Sequence, residues 1–286
     1  MGILLGLATA LAWGSSDFLA RFVTRKIGTL RSLFYMQTWG FLLLSAYLLF
    51  THSWGHLFDG SGWRPWAWGF LAGGCNTVAM FSFYRCLEIG KVAVVAPLSA
   101  SYPVLTVLLS ISSGERLTLL RVCGIAVTLF GVVLVARGES GADDSSRSSK
   151  RGIAWALFAS SIFGLLFWLL GHRIIATTGP FASLWLIRMT GSVVSLAVLV
   201  AMRIPVFKSL GASNWQPITM GFLDTGAFAL SNRGMQMEQV SVVTVLSSLY
   251  GAVTVLLAAI LLRERVSRTQ WIGIVAIFGG IFLISR

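Results

Sequence analysis

The stretch SASYPVLTVLL at residues 99–109 is spelled again, with six of its eleven letters unchanged, as SSLYGAVTVLL at residues 247–257. Matched apolar letters mean little, because membrane helices resemble one another by composition. A Ser, a Tyr and a Thr held at one register mean more. Working outward at an offset of 148 to 152, Glu115 and Arg116 match Glu264 and Arg265, Gly124 and Ile125 match Gly273 and Ile274, Gly131 matches Gly280, and Arg137 matches Arg286. Near the front, Gly2 and Ile3 match Gly152 and Ile153, and Trp13-Gly14 matches Phe163-Gly164. One half is written twice.

Of the 286 residues, 56% are hydrophobic and only 11% charged, and the mean hydropathy is +0.81. No water-soluble surface of this size tolerates that composition. A bilayer span needs about 20 apolar residues, and ten such stretches are predicted: 2–22, 32–50, 66–86, 92–112, 118–136, 152–172, 182–202, 217–237, 240–261 and 269–285. The first lacks a charged leader and a small-residue cleavage site, so it reads as a retained span. Between the fifth and sixth lies RGESGADDSSRSSKR, residues 137–151, whose Gly, Ser and charge content marks a linker. The expected organisation is a first repeat at 1–137, a polar linker at 138–151 and a second repeat at 152–286. An odd number of spans per repeat makes the second copy enter the membrane from the opposite side. The fold class is therefore all-α integral membrane, with ten transmembrane helices as two inverted five-helix repeats.

The net charge of +12 sits in short loops between spans. Membrane orientation accounts for such loop charge, so no nucleic-acid partner is expected. Of the 22 Lys and Arg, fifteen fall on the linker side, six on the side of the termini, and Arg188 lies within a span. The positive-inside rule then places the linker in the cytoplasm and both termini outside.

Three motifs carry a family likeness: LAWGSSDF at 11–18, APLSASYPVLTVLL at 96–109 leading to GERLT at 114–118, and the Gly-containing GIAVTLFGVVLVAR at 124–137. With the two five-span halves, the chain resembles the drug/metabolite transporter superfamily with paired EamA-type domains. That resemblance implies both termini inside, a secondary transporter, and export of an amino acid or related metabolite, with drug-like cations or sugars as alternatives. It also implies the cytoplasmic membrane of a prokaryote. Two departures between the halves count against strict symmetry: Pro103 is matched by Gly251, and Gln37 by Arg188.

Polar groups in hydrocarbon are costly, about 2.5–3.5 kcal/mol for Asp, Lys or Arg at mid-span, and default to a functional role. Trp13, Ser16, Asp17 and Ala20 share one helical face, and their repeat-mates are Phe163, Leu166, Phe167 and Leu170. A carboxylate beside an indole would thus face an aromatic wall of Phe163, Phe167 and Trp168, a lining suited to an amphipathic amine. Alternatively Asp17 pairs with Arg21 one turn on and anchors the helix. Asp224 reads as a structural ion pair with Arg188 or Arg233, with proton coupling as the rival role. Ser99, Tyr102 and Thr106, like Ser247, Tyr250 and Thr254, form a stripe along each fourth span of a half, lining a cavity or cementing a seam. Asn76, Tyr84 and Asn232 complete the substrate-binding candidates. Pro97 and Pro103 are hinge candidates in one half only.

The three cysteines, Cys75, Cys86 and Cys123, stand apart, and His52 and His56 have no third ligand nearby, so no disulfide, metal or cofactor is expected. A membrane-embedded enzyme would gather His, Cys or paired acids, which this sequence scatters. There is no phosphate-binding Gly-Lys-Ser/Thr loop for direct ATP hydrolysis. The expected partners are a small-molecule substrate, the lipid bilayer and a coupling proton, with the chain a monomer or homodimer. The charge count gives a direct test of orientation. A single cysteine placed in the linker should escape an impermeant thiol reagent on intact cells; ready labelling reverses the orientation.

Overall fold

The computed structural model describes residues 1–113, 118–137, 146–208, 210–237, 240–262 and 267–284. Glu115, Arg116, Glu264, Arg265 and Arg286, matched across the repeat, lie outside the described residues. All regular structure among the described residues is helical. The first half contains α1 (Gly2–Ile27), α2 (Thr29–Thr51), α3 (Arg64–Ile89), α4 (Val92–Ser99), α5 (Pro103–Ser112) and α6 (Leu119–Arg137). The second contains α7 (Ser146–Leu169), continued by a π-helical turn into α8 (Ile175–Thr178), then α9 (Pro180–Ala201), α10 (Trp215–Met237), α11 (Val240–Ser248), α12 (Tyr250–Leu257) and α13 (Arg268–Ile284). Counting α4 with α5, α7 with α8, and α11 with α12, these are ten spans. Among the described residues, five are long and apolar enough to cross a bilayer on those measures alone. Helices extend past the predicted ends, and residues 146–151 of the expected linker are already helical. Extending an existing helix adds a backbone hydrogen bond for each residue fixed.

The halves interleave. The most extensive packing joins α6 to its repeat-mate α13, followed by α1 to α10 and, in mirrored fashion, α3 to α7; α2 meets its repeat-mate α9. The letters shared by the two halves sit where α1 meets α12, where α7 meets the start of α5, and where α6 meets α13. A Cβ on Gly14 would stand 3.0 Å from the Tyr250 carbonyl oxygen, and one on Gly164 would stand 2.9 Å from that of Tyr102. Thr254 Oγ1 donates to Gly14 O at 3.3 Å, while Thr106 Oγ1 donates to Gly164 O at 3.0 Å. Each copy of the repeated word therefore clasps the leading helix of the opposite half. The same reciprocity holds where a Cβ on Gly131 would meet Gly273 O, and one on Gly280 would meet Gly124 O, both at 2.6 Å.

The fourth span departs from expectation. It breaks in both halves, not only where the prolines lie. Residues 100–102 separate α4 from α5, and Leu249 separates α11 from α12. Both breaks tighten to i to i−3 bonds: Ser101 N to Leu98 O (3.3 Å) and Val104 N to Ser101 O (3.1 Å), against Leu249 N to Leu246 O (3.3 Å) and Ala252 N to Leu249 O (2.9 Å). Pro103 begins α5, where its missing N–H costs little. Gly251 serves a different end, since a Cβ there would stand 2.7 Å from Ala100 Cβ on the facing span. The second copy is therefore broken as well, although it lacks the prolines of the first.

An interhelical hydrogen bond in a membrane is worth only about 0.6 kcal/mol on average, whereas overpacking costs about 1–3 kcal/mol. Close approach at Gly14 and Gly164 therefore outweighs the two Thr bonds. Gly14→Val and Gly164→Val should each lower the unfolding midpoint of the detergent-solubilised protein well below that of Gly74→Val, where no neighbouring atom lies within 4 Å.

Candidate functional site

Behind these crossings the mid-span residues line a narrow cavity of about 30 Å³, walled by Trp13, Asp17, Met80, Phe83, Tyr102, Phe163, Phe167, Asp224, Phe228 and Tyr250. Both halves build it. Trp13 is the hub, edge-on to Phe167 at 5.8 Å, to Phe228 at 5.7 Å and to Tyr250 at 6.0 Å. Tyr102 stacks on Phe167 at 4.9 Å and lies nearly parallel to its own repeat-mate Tyr250 at 6.5 Å. The Tyr102 hydroxyl donates to Thr244 O at 3.2 Å, which fixes the ring by tying it to α11.

Two carboxylates interrupt this aromatic wall, and their situations differ. Asp224 on α10 accepts from Arg188 Nη2 in a buried salt bridge. Arg188 is fully buried; its Nη1 reaches Gln37 Oε1 at 2.9 Å and Met36 Sδ at 3.1 Å, and its guanidinium carbon lies 5.6 Å from the centre of the Phe228 ring. The Gln37 and Arg188 mismatch noted in sequence is thus one contact, because the two repeat-mates bond to each other where α2 crosses α9. Gly40 and Gly191 open that crossing, where a Cβ on Gly40 would stand 3.1 Å from Arg188 Nε and one on Gly191 2.8 Å from Gln37 Cγ.

Asp17 has no such partner. Its residue is 4% exposed, and among the described residues no hydrogen bond or salt bridge reaches its carboxylate. Arg21, the partner expected one turn on, instead sends Nη1 toward Gly90 O at 3.5 Å, and Arg25 Nη2 donates to the same oxygen at 3.0 Å. Arg233, the other cation considered for Asp224, donates to Gln236 Oε1 at 3.0 Å.

Of the twelve predicted binding residues, Trp13, Asp17, Tyr102, Phe163, Phe167 and Tyr250 line the cavity, and the other six do not. Ser99 donates to Val95 O at 2.9 Å within its own helix. The break at 100–102 ends the helical phase, so the spacing no longer keeps Ser99 on the face of Tyr102; Ser247 is buried with its hydroxyl unpartnered. Trp168 lies beside the end of α5, donating to Ser113 Oγ at 3.2 Å. Asn232 donates to Pro180 O at 2.9 Å. The Asn76 amide and the Tyr84 hydroxyl are buried without partners on α3. Met80, Phe83 and Phe228 were missed. Their signal was helical spacing, since Met80 and Phe83 follow Asn76 at i+4 and i+7, and Phe228 follows Asp224 at i+4, but apolar letters in a span read equally well as lipid-facing.

Outside the membrane, Asp59 accepts from Ser61 N and Oγ at 3.0 and 2.6 Å and lies 2.6 Å from His56 Nδ1. The Ser61 hydroxyl, then His56, hold its carboxyl down to about 2, so His56 is occupied by an acid within its own loop.

Comparison with known proteins supplies the family. The profile of the EamA-like transporter family matches residues 1–137 and again residues 150–286. The chain belongs to the EamA-like transporter family. A solved crystal structure described only as that of a protein shares the fold with a TM-score of 0.71 at 19% identity, over 99% of this chain and 95% of the other. No curated protein matches. This EamA-like protein is thus a multi-pass membrane transporter, and its cavity lies between the two halves.

The locked pair in its wall has a measurable consequence. Arg188→Ala leaves Asp224 buried and unpaired, and should cost about 3–5 kcal/mol of stability. Replacing both partners, as Arg188→Met with Asp224→Leu, should cost less. Thermal unfolding of the three proteins in one detergent checks the order.

Proposed function

We propose that this chain is a secondary transporter moving a small amphipathic metabolite that carries an amine, an amino acid or a related compound, by alternating access at the cavity between its halves. The unpartnered Asp17 carboxylate facing an aromatic wall carries this reading. A cationic head gains both the charge and the π faces of Trp13 and Phe167, and the apolar remainder is covered by Phe83, Phe163 and Phe228. Export, and residence in a prokaryotic cytoplasmic membrane, follow the family likeness, as does the division into repeats at 1–137 and 152–286 joined by 138–151. Enzymatic turnover is not part of the proposal.

Alternating access needs the two ends of the cavity to open in turn, and they are built differently. On the linker face, Gly90 O between α3 and α4 accepts from both Arg21 and Arg25. At the repeat-related place on the opposite face, a Cβ on Gly171 would meet the Val240 side chain at 2.6 Å. One closure is polar and the other apolar, so water and charge act on them unequally.

Asp17→Asn keeps the volume and removes the charge. In proteoliposomes it should reduce saturable counterflow of substrate at least tenfold while the protein still purifies as a folded species. Wild-type flux in that variant removes Asp17 from the mechanism.

A further inference from the structure

A second cavity, of about 270 Å³, opens at the linker-side end of the bundle, between the turn joining α1 to α2 and the last part of α3. Its two ends differ in chemistry. Phe81, Arg85 and Glu88 follow one another at i, i+4 and i+7, so one face of α3 runs from an aromatic ring to charge. At 1.5 Å per residue that change takes about 10 Å. Phe81 is met edge-on by Trp155 at 5.9 Å, and Ile27 and Ile204 extend the apolar lining.

The polar end is positive. Arg31 spends Nε on Pro205 O at 2.7 Å and Nη1 on Ile27 O at 3.2 Å. Both acceptors are neutral, and among the described residues no carboxylate pairs with this guanidinium. Arg85 gives Nη1 to Glu88 Oε2 at 2.8 Å, and the same oxygen accepts from Thr29 Oγ1 at 2.6 Å. The one acid is thus already shared, and two Arg against one Glu leave the lining with one net positive charge. The start of α2 adds to it. The amides of Thr29, Leu30 and Arg31 precede the first bond of that helix, Ser32 N to Gly28 O at 3.2 Å, and a helix N-terminus carries partial positive charge.

We propose that this cavity binds the phosphate of an anionic phospholipid from the leaflet on the linker side. The phosphate lies between the guanidinium groups of Arg31 and Arg85 at the start of α2, where charge-assisted hydrogen bonds hold it. The glycerol and first methylenes are covered by Phe81, Ile27 and Ile204, and the acyl chains leave into hydrocarbon. A soluble phosphate ester would satisfy the charged end alone and gain nothing from the aromatic one.

Native mass spectrometry of the delipidated full-length protein, titrated with phosphatidylglycerol and with phosphatidylcholine, tests the site. Phosphatidylglycerol should bind about fivefold more tightly, the scale of one basic side chain at a membrane surface, and Arg31→Ala should erase that preference. Lys26→Ala, on the same face but outside the cavity, should keep it; an equal loss there means diffuse surface charge and overturns the proposal. Glu88→Gln removes the acid yet leaves an oxygen for Thr29, and should tighten phosphatidylglycerol binding severalfold, a gain that misfolding cannot produce. Equal binding of the two lipids, or weaker binding by Glu88→Gln, overturns the proposal. Glycerol 3-phosphate supplied at the lipid's concentration should fail to displace it; displacement assigns the site to a soluble phosphate ester and overturns the lipid.

Discussion

The architecture depends on two reciprocal crossings, in which Gly14 of the first helix accepts the backbone at Tyr250, and Gly164 of its repeat-mate accepts the backbone at Tyr102. In lipid there is little hydrophobic gain from bringing two apolar helices together, so van der Waals contact between closely approaching backbones must supply it. Glycine at each crossing allows that approach. The neighbouring residue is then committed: an aromatic ring one position before each glycine, Trp13 or Phe163, has nowhere to go but the interior between the halves. The same contact that joins the repeats therefore lines the cavity, and the two Tyr residues of the repeated word, brought together near the axis relating the halves, form its shared partition.

Charge divides along a second axis. Where α2 crosses α9, an amide in one half faces a guanidinium in the other, and that asymmetry lets Arg188 bridge Gln37 and Asp224 at once. A buried ion pair returns little net stability compared with an apolar replacement, because desolvation offsets most of the attraction. What it does here is tie Asp224 and Arg188 to each other, so that Asp17 is the acid of the cavity wall left without a hydrogen-bond or ion-pair partner among the described residues.

Asymmetry also runs through the helix breaks and the cavity ends. Both fourth spans break at the repeated word, one with prolines near it and one without, so proline is not required for the break. The ends diverge more. Arg21 and Arg25 hold a carbonyl on the linker face, while Gly171, occupying Arg21's place in the second half, packs against Val240. Two copies of one sequence pattern thus provide a symmetric frame whose two ends differ in chemistry, one polar and one apolar.

The repeat, the ten spans, their inversion and the membrane setting were all legible in the chain, because each rests on local quantities: apolar length, loop charge, and the parity of spans in a half. Trp13, Asp17, Tyr102, Phe163, Phe167 and Tyr250 were legible too, since helical spacing puts polar or bulky residues on one face. Sequence could not choose between partners for Asp224 or for Arg21, because both choices depend on which helix lies alongside, and spacing along one helix says nothing about its neighbour. Nor could it reject Ser99 and Ser247, whose phase is reset by a break that only the facing helix enforces. Met80, Phe83 and Phe228 stayed hidden for a related reason: an apolar side chain looks the same whether lipid or cavity lies beyond it. The sequence by itself determined which helices exist and that the second half is inverted relative to the first. The tertiary structure decided which charges cancel and which one is left, because electrostatic pairing is a matter of distance across the bundle.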